Sequence, residues 1–283
     1  MSWRLEIRHT TAYSYDRPVL ASYNEARVTP AVAAGQAVIE SQLDTKPTSA
    51  LFRYTDYWGT TVHAFDLHDP HASLTITGSA VVETGTGAGS RAPSVRLRWG
   101  DLAASAVADR FYEFLAPSRY VDPRALSEVG RAIRSRCATP ARALPVVTEW
   151  VHDQLAYQPG STHAHTSAVE AWKAGLGVCQ DFSHLSIGVM RAMGVPARYV
   201  SGYFYPGASA DVGATVTGES HAWAEAWLGD WVALDPTNRV RVGERHVVVA
   251  RGRDYSDVAP LRGIYSGPSG SSTKVAVELR RLA

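Results

Sequence analysis

The hydrophobic pattern of the chain changes its period near residue 100, and this change limits the fold more than any other feature of the sequence. Before it, short segments alternate apolar and polar residues and are separated by turn residues such as Trp58-Gly59 and Asp69-Pro70. This pattern predicts an antiparallel β-sandwich of roughly six to eight strands. The strand-like segments are 13–15, 37–39, 51–54, 61–65, 73–77 and 80–82.

From about residue 102 the apolar residues recur at helical spacing, and capping residues mark where helices begin. The first apolar face runs over 107–115. Asp122-Pro123 and Thr139-Pro140 each predict a helix that starts with proline in its first turn, and Thr166 predicts the cap of a short helix that ends at Gly175. The second part of the chain therefore combines several helices with later strands.

The order of these patterns predicts an α+β protein. We expect an N-terminal β-sandwich domain over residues 1–100 and a second domain over 101–283, in which helices pack on an antiparallel sheet. The segment 274–279 alternates like a strand, so we expect a C-terminal strand that closes a sheet.

Composition excludes several classes of protein. With 45% hydrophobic and 19% charged residues in 283, the chain can bury a sizeable core, and a net charge of +1 gives no general attraction to nucleic acid or to an anionic membrane. No window reaches the roughly 18 consecutive apolar residues of a membrane span. Only Cys137 and Cys179 occur, which excludes a disulfide scaffold, and residues 1–9 alternate like a strand rather than a signal peptide. We expect a cytoplasmic protein, and the sequence specifies no oligomeric state.

Three separate segments supply a thiol, an imidazole and a carboxylate, at Cys179, His221 and Asp235. A thiol is a useful nucleophile only as thiolate, so it needs a nearby base, and the base needs a partner that fixes its tautomer. The segment 179–193 predicts a helix with Cys179 in its first turn. Free backbone N–H groups and the positive end of the helix dipole favour an anion at that position.

The spacing of two predicted strands, 221–228 and 231–235, decides whether the imidazole can meet the carboxylate. A two-residue turn would leave His221 on the wrong face, whereas a three-residue loop or a bulge sets Trp223 opposite Asp235. We predict the second arrangement, in which His221 and Asp235 are diagonal neighbours whose backbones lie about 7 to 8 Å apart.

Each of the three residues also has an ordinary structural interpretation. Cys179 could be a small buried apolar group, His221 an exposed strand residue and Asp235 the cap of a turn. A metal site is a further alternative, but the available histidines lack the ligand set and spacing of a familiar zinc motif. These histidines are His63, His68, His71, His163 and His165. We expect no metal, no calcium activation and no cofactor.

The ordered segments resemble the transglutaminase-like superfamily, in its bacterial two-part form with an N-terminal β domain. The resemblance is carried by GVCQDFSH (177–184), GVPARYVSGY (194–203), HAW (221–223) and DPTN (235–238). It implies a papain-like fold, in which a helix carrying the cysteine packs on an antiparallel sheet carrying histidine and aspartate. By this resemblance Cys179 is the nucleophile, His221 the general base and then acid, and Asp235 the residue that orients the imidazole.

These residues predict a cysteine-dependent hydrolase that cleaves a peptide or carboxamide bond through a thioester. The backbone N–H of Cys179 is the natural oxyanion donor, and Gln180, Trp172 or Trp223 could supply a second one. Two alternatives stay open: a protein-glutamine amine acyltransferase, which shares the first half of the cycle, and a non-catalytic scaffold that binds peptide. The expected partner is a peptide or protein substrate.

Overall fold

A computed structural model of the protein describes residues 2–85, 97–207, 212–218, 220–267 and 270–283. The strands in these ranges are β1 (Trp3–Val19), β2 (Ala21–Ala26), β3 (Gln36–Lys46), β4 (Phe52–Thr55), β5 (Thr61–Leu67), β6 (His71–Thr84), β7 (Ala156–Tyr157), β8 (Leu176–Gly177), β9 (Ala197–Phe204), β10 (Thr215–Gly218), β11 (Ser220–Trp227), β12 (Trp231–Leu234), β13 (His246–Gly252), β14 (Leu261–Ser266) and β15 (Ser271–Arg281). The α-helices are α1 (Trp99–Leu102), α2 (Ser105–Arg110), α3 (Ser127–Arg136), α4 (Pro140–Gln154), α5 (Ala168–Ala174), α6 (Cys179–Ala192) and α7 (Tyr255–Val258).

The N-terminal strands form two packed antiparallel sheets, which confirms the predicted β-sandwich. One sheet has the order β10-β15-β1-β6-β3 and the other β14-β2-β5-β4. In β1 buried and exposed residues alternate, as expected for a strand with one face on a core. The core between the sheets is apolar and consists of Ala26, Val28, Leu43, Phe65, Leu67, Leu74 and Ile76.

The C-terminal strands complete both of these sheets. β15 pairs with β1 from Leu5–Arg281 to Tyr15–Ser271, so the predicted strand at 274–279 lies beside the first strand of the chain. β14 pairs with β2 in the other sheet. A division into domains near residue 100 remains a prediction.

The second part of the chain places helix α6 on a four-stranded antiparallel sheet of order β12-β11-β9-β13. α6 is buried on all sides, as expected for a helix at the centre of a domain, and α3, α4 and α5 pack around it. Its apolar side chains and Ala222, Ala224 and Ala226 of β11 belong to one core. This helix-on-sheet arrangement confirms the predicted α+β class. None of the described helices is both long and apolar enough to cross a membrane.

Two of the predicted helical features differ in the structure. The apolar stretch over 107–115 does not form one helix but the short α2 and a 3₁₀ turn at Tyr112–Phe114, because Phe111 and Phe114 turn onto Trp231 of the sheet. The cap of α5 is Ser167 rather than Thr166. The Ser167 hydroxyl accepts from the N–H of Glu170, whose carboxylate accepts from the Ser167 N–H in return.

Candidate active site

Cys179 is the first residue of α6, and the turn that presents it is held by a carboxylate. Oδ2 of the buried Asp181 accepts hydrogen bonds from the N–H of Val178 at 2.8 Å and from the hydroxyl of Thr162 at 2.7 Å. Gly177 makes room for this arrangement, since a Cβ there would lie 2.7 Å from Cβ of Asp181. The half-buried thiol of Cys179 therefore stands at a fixed helix N-terminus.

The pairing of β11 with β12 brings the predicted carboxylate to the predicted imidazole. Ala224 pairs with Leu234, and the strands are joined by the three-residue loop 228–230. Continuing this register by one residue sets Trp223 opposite Asp235, which confirms the predicted register. Asp235 follows the last residue of β12 and is almost completely buried.

His221 lies between the thiol and the carboxylate. Its Nε2 is 2.9 Å from Oδ2 of Asp235, and the thiol of Cys179 is within hydrogen-bonding range of the same ring. Burial by itself lowers the pKa of His221, but the hydrogen bonds with Asp235 and Cys179 raise it to about 10. Burial alone would raise the pKa of Asp235, yet its two histidine partners hold it well below its usual range. The site thus favours a protonated imidazole beside an ionised carboxylate.

Asn238 and His246 also bind Asp235, and sequence reasoning gave neither of them a role. Oδ1 of Asp235 accepts from the N–H groups of Thr237 and Asn238 at 3.1 and 3.0 Å. Oδ2 accepts from Nδ2 of Asn238 at 2.9 Å and lies 3.2 Å from Nε2 of His246. The Asp-Pro-Thr-Asn turn could have indicated Asn238, because aspartate side chains commonly bind N–H groups two or three residues ahead. No local signal indicates His246.

His221, Asp235 and His246 have ligating atoms within 4.8 Å of one another and form a candidate metal group among the described residues. The histidines considered from the sequence do not belong to it. Nδ1 of His246 accepts from the N–H of Gly243 at 3.3 Å, which places the ring proton on Nε2, where it points to Asp235. The geometry at this point favours hydrogen bonding over metal ligation.

The three side chains predicted as second oxyanion donors lie in different surroundings. Gln180 adjoins Cys179 in the first turn of α6, and its amide donates to the Ala164 carbonyl at 3.3 Å. Nε1 of Trp172 donates to the side chain of Gln154 at 3.0 Å. The Trp223 ring packs with Val200 and Val242 in a separate cluster, and its Nε1 has no hydrogen-bond partner among the described residues.

The chain is similar over its length to known proteins. The model of the bacterial transglutaminase-like N-terminal region matches residues 5–83, and that of the transglutaminase-like superfamily matches residues 127–236. An uncharacterized protein of Mycobacterium leprae is 48% identical over 284 residues, covering 99% of this chain and 100% of its own length. An uncharacterized protein of Mycobacterium tuberculosis is 33% identical over 309 residues, covering 98% of this chain and 92% of its own.

A solved structure has the same fold. The crystal structure of a "putative cysteine protease" from Cytophaga hutchinsonii matches with a TM-score of 0.77 and 24% sequence identity. The match covers 100% of this chain and 92% of that one, so both the β-sandwich and the helix-on-sheet part have counterparts there.

Proposed function

This chain belongs to the transglutaminase-like superfamily, and from that premise we propose that it is a cysteine-dependent hydrolase acting on a peptide or carboxamide bond. One observation carries the proposal: the thiol of Cys179 is within hydrogen-bonding range of His221, whose Nε2 is 2.9 Å from the buried carboxylate of Asp235. Nucleophile, base and orienting group therefore stand in the order that nucleophilic catalysis requires.

In the first half of the proposed cycle the thiol proton moves to His221, and the Cys179 sulfur attacks the carbonyl carbon of the substrate. The C–S bond forms and the carbonyl electron pair moves to oxygen, which gives a tetrahedral oxyanion. When the oxyanion collapses, the C–N bond breaks and the leaving amine takes the proton from His221. A thioester on Cys179 and a free amine or ammonia are the products of this half.

The oxyanion is stabilised by donors at the start of α6. The backbone N–H groups of a first helical turn have no partner within the helix, so the N–H of Cys179 is available. We assign the second donor to Gln180, because its amide lies next to Cys179 and holds only a 3.3 Å bond at an exposed carbonyl. Nε1 of Trp172 already donates to the side chain of Gln154, and the Trp223 ring packs in the cluster with Val200.

In the second half, water attacks the thioester while His221 takes its proton, and the carboxylic acid leaves as the C–S bond breaks. An amine in place of water would give transamidation by the same steps. We favour hydrolysis, because transfer to an amine requires that the thioester be shielded from water. The substrate class is a peptide or protein amide. We place the enzyme in the cytoplasm, where its two free cysteines would stay reduced.

Labelling with iodoacetamide tests the nucleophile. We expect a mass adduct on Cys179 whose rate of formation falls at least about tenfold in His221→Ala, because the ring no longer takes the thiol proton. Cys137 is an internal control, since its buried thiol donates to the Arg142 carbonyl and no described interaction links it to a histidine. Equal labelling of wild type and His221→Ala would contradict the mechanism and favour a scaffold that only binds peptide.

Ammonia release from glutamine-containing peptides distinguishes hydrolysis from transfer. A hydrolase releases ammonia at the same rate with or without a primary amine and adds no amine to the peptide. Release that requires the added amine, with the amine incorporated, would instead establish an acyltransferase. Cys179→Ala should abolish release in either case.

A further inference from the structure

One oxygen of Asp235 serves two imidazoles. Oδ2 lies 2.9 Å from Nε2 of His221 and 3.2 Å from Nε2 of His246, and the three side chains are buried. Both rings also pack against Phe204, at centroid distances of 5.3 and 4.7 Å. The second imidazole therefore belongs to the same buried group as the first, although it does not contact Cys179 in any described interaction.

The proton of His246 is fixed from outside the site. The N–H of Gly243 donates to Nδ1, so the ring proton resides on Nε2 and points to Asp235. Burial lowers the pKa of His246, and the nearby Asp235 only partly offsets this. His246 is thus a neutral donor, which binds the carboxylate without adding a positive charge that would oppose the charge on His221.

The N-terminal region holds the strand that carries His246. The side-chain amide of Gln36 binds both backbone groups of Val248, donating to its carbonyl and accepting from its N–H, each at 2.8 Å. The N–H of Ala31 donates to the same carbonyl at 2.9 Å, and the Thr84 hydroxyl donates to the carbonyl of Glu244 at 2.6 Å. β13 is an edge strand of its sheet, and these bonds cover the edge that β9 leaves open.

We propose that His246 is a positioning residue for the reaction proposed above, a neutral donor that holds Oδ2 of Asp235 against His221. Gln36 keeps the strand of His246 in place, which gives the N-terminal β-sandwich a part in the geometry of the site. Asp235 follows the end of β12, and among the described residues backbone N–H groups reach only its Oδ1, so Oδ2 depends on the side chains of Asn238 and His246. The role of His246 in the reaction rests on the proposed function, whereas the contacts among His246, Asp235 and His221 do not depend on it.

Replacing His246 tests the donor. In His246→Phe the ring volume stays and the N–H is lost, so we expect Asp235 to rotate, the His221 titration midpoint to fall by about one pH unit or more, and iodoacetamide labelling of Cys179 to slow about tenfold. His246→Gln places an amide N–H near the same point and should restore most of both values. NMR of the ring nitrogens gives the midpoint, and thermal unfolding shows whether each variant is folded.

The titration of His221 must be interpreted with its charged neighbours. Among the described residues these are Cys179 on α6, Asp235 after β12 and, around His246 itself, Arg245 before β13. None of these three is changed in the variants. A midpoint and a labelling rate that stay at the wild-type values in His246→Phe would overturn the proposal. If the His221 midpoint and the labelling rate fall equally in His246→Phe and His246→Gln, the donor role of His246 is wrong.

Replacing Gln36 tests the contribution of the N-terminal region and keeps the proposal falsifiable if His246→Phe does not fold. Gln36→Leu should move the His221 midpoint in the same direction and slow labelling about threefold, because β13 loses both side-chain bonds at Val248. Gln42→Leu is the matched control, since Gln42 lies on the same strand and its amide donates to the exposed Asp44. Identical behaviour of the two variants would overturn the role of Gln36.

The two proposals fail in different experiments. The titration and the labelling rate require no substrate, so they measure positioning whether or not the enzyme cleaves an amide. If wild type labels at Cys179 but releases no amine from any peptide, the proposed function fails and the positioning role stands. If amides are cleaved and His246→Phe behaves like wild type, the positioning role alone is wrong.

Discussion

The two faces of the β12-β11-β9-β13 sheet are built on different physical principles. On the face toward α6, β11 presents the small side chains of Ala222, Ala224 and Ala226, so the helix can approach closely. On the other face the same strand presents His221, Trp223 and Glu225, which belong to a network of hydrogen bonds and ion pairs. The first face positions the thiol by packing, and the second positions the imidazole and the carboxylate by directed polar contacts.

Substitutions on the two faces should therefore have different effects. Changes on the helix face should lower stability and leave the chemistry of the folded protein intact. Changes at the His221 end of the polar face should act chiefly on the chemistry, whereas changes at its Glu225 end should again act on stability.

The largest effect is expected from Asp235→Asn. The amide would direct an N–H toward Nε2 of His221, which now donates there, so the ring would change tautomer and Nδ1 could no longer accept the thiol proton. Amide hydrolysis should fall by about 10⁴-fold. Asp44→Asn, on the exposed part of β3, should leave the rate unchanged. A loss of less than tenfold in Asp235→Asn would show that the carboxylate does not orient His221.

The next largest effect is expected from Glu225→Gln, at the other end of the polar face. Glu225 is buried between Arg198 and Arg251, with N–O distances of 2.6 and 3.0 Å, and removing its charge leaves both guanidinium groups uncompensated. Urea unfolding should show a loss of about 3 to 5 kcal/mol in the free energy of unfolding. The matched control is Glu83→Gln, because the exposed pair with Arg4 at 3.7 Å contributes about 1 kcal/mol or less.

The rate of Cys179 labelling distinguishes the two ends of this face. It should be unchanged in folded Glu225→Gln. A tenfold slower rate would mean that Glu225 with its two arginines and Asp235 with its two histidines act as one network. The two ends of the face would then not be independent.

Much of this arrangement could be predicted from the sequence, because it depends on local patterns. The alternation along β1, the helix that begins at Cys179 and the three-residue loop that sets the β11–β12 register all have signatures within a few residues. The register alone brings His221 to Asp235, since one residue of slip would turn the side chain to the other face.

The parts that could not be predicted depend on contacts between distant residues. Gln36 and Val248 are 212 residues apart in sequence, and no local sequence pattern predicts which residue a buried glutamine binds. The same holds for His246, whose role is defined by the Asp235 carboxylate and not by its own neighbours. Thr166 failed as the cap of α5 for a local reason, since its hydroxyl accepts from the N–H of His163 while Ser167 caps the helix.

A pH dependence of stability should follow from His221 itself. Its pKa is raised to about 10 in the folded protein, so its contribution to stability is complete below the unfolded value near 6.5 and is lost as the pH rises through 10. Between about pH 7 and 10 we expect the free energy of unfolding to fall by about 3 kcal/mol. Chemical denaturation across this range should show a flatter curve in His221→Gln. Curves of the same slope would contradict the raised pKa.

The smallest effect is expected on the helix face, from Ala224→Val. Ala224 is fully buried within the core that β11 shares with α6, so two added methyl groups must displace the helix or force strained side-chain conformations. The free energy of unfolding should fall by about 1 to 3 kcal/mol. Ala276→Val, at an exposed position of β15, adds the same methyl groups without a packing cost and should change stability by about 0.5 kcal/mol or less.

The labelling rate of Cys179 in folded Ala224→Val should stay within about threefold of wild type, because His221 and Asp235 lie on the other face. A larger loss of labelling than of stability would show that the small side chains of β11 set the distance between thiol and imidazole directly, and that the two faces are coupled.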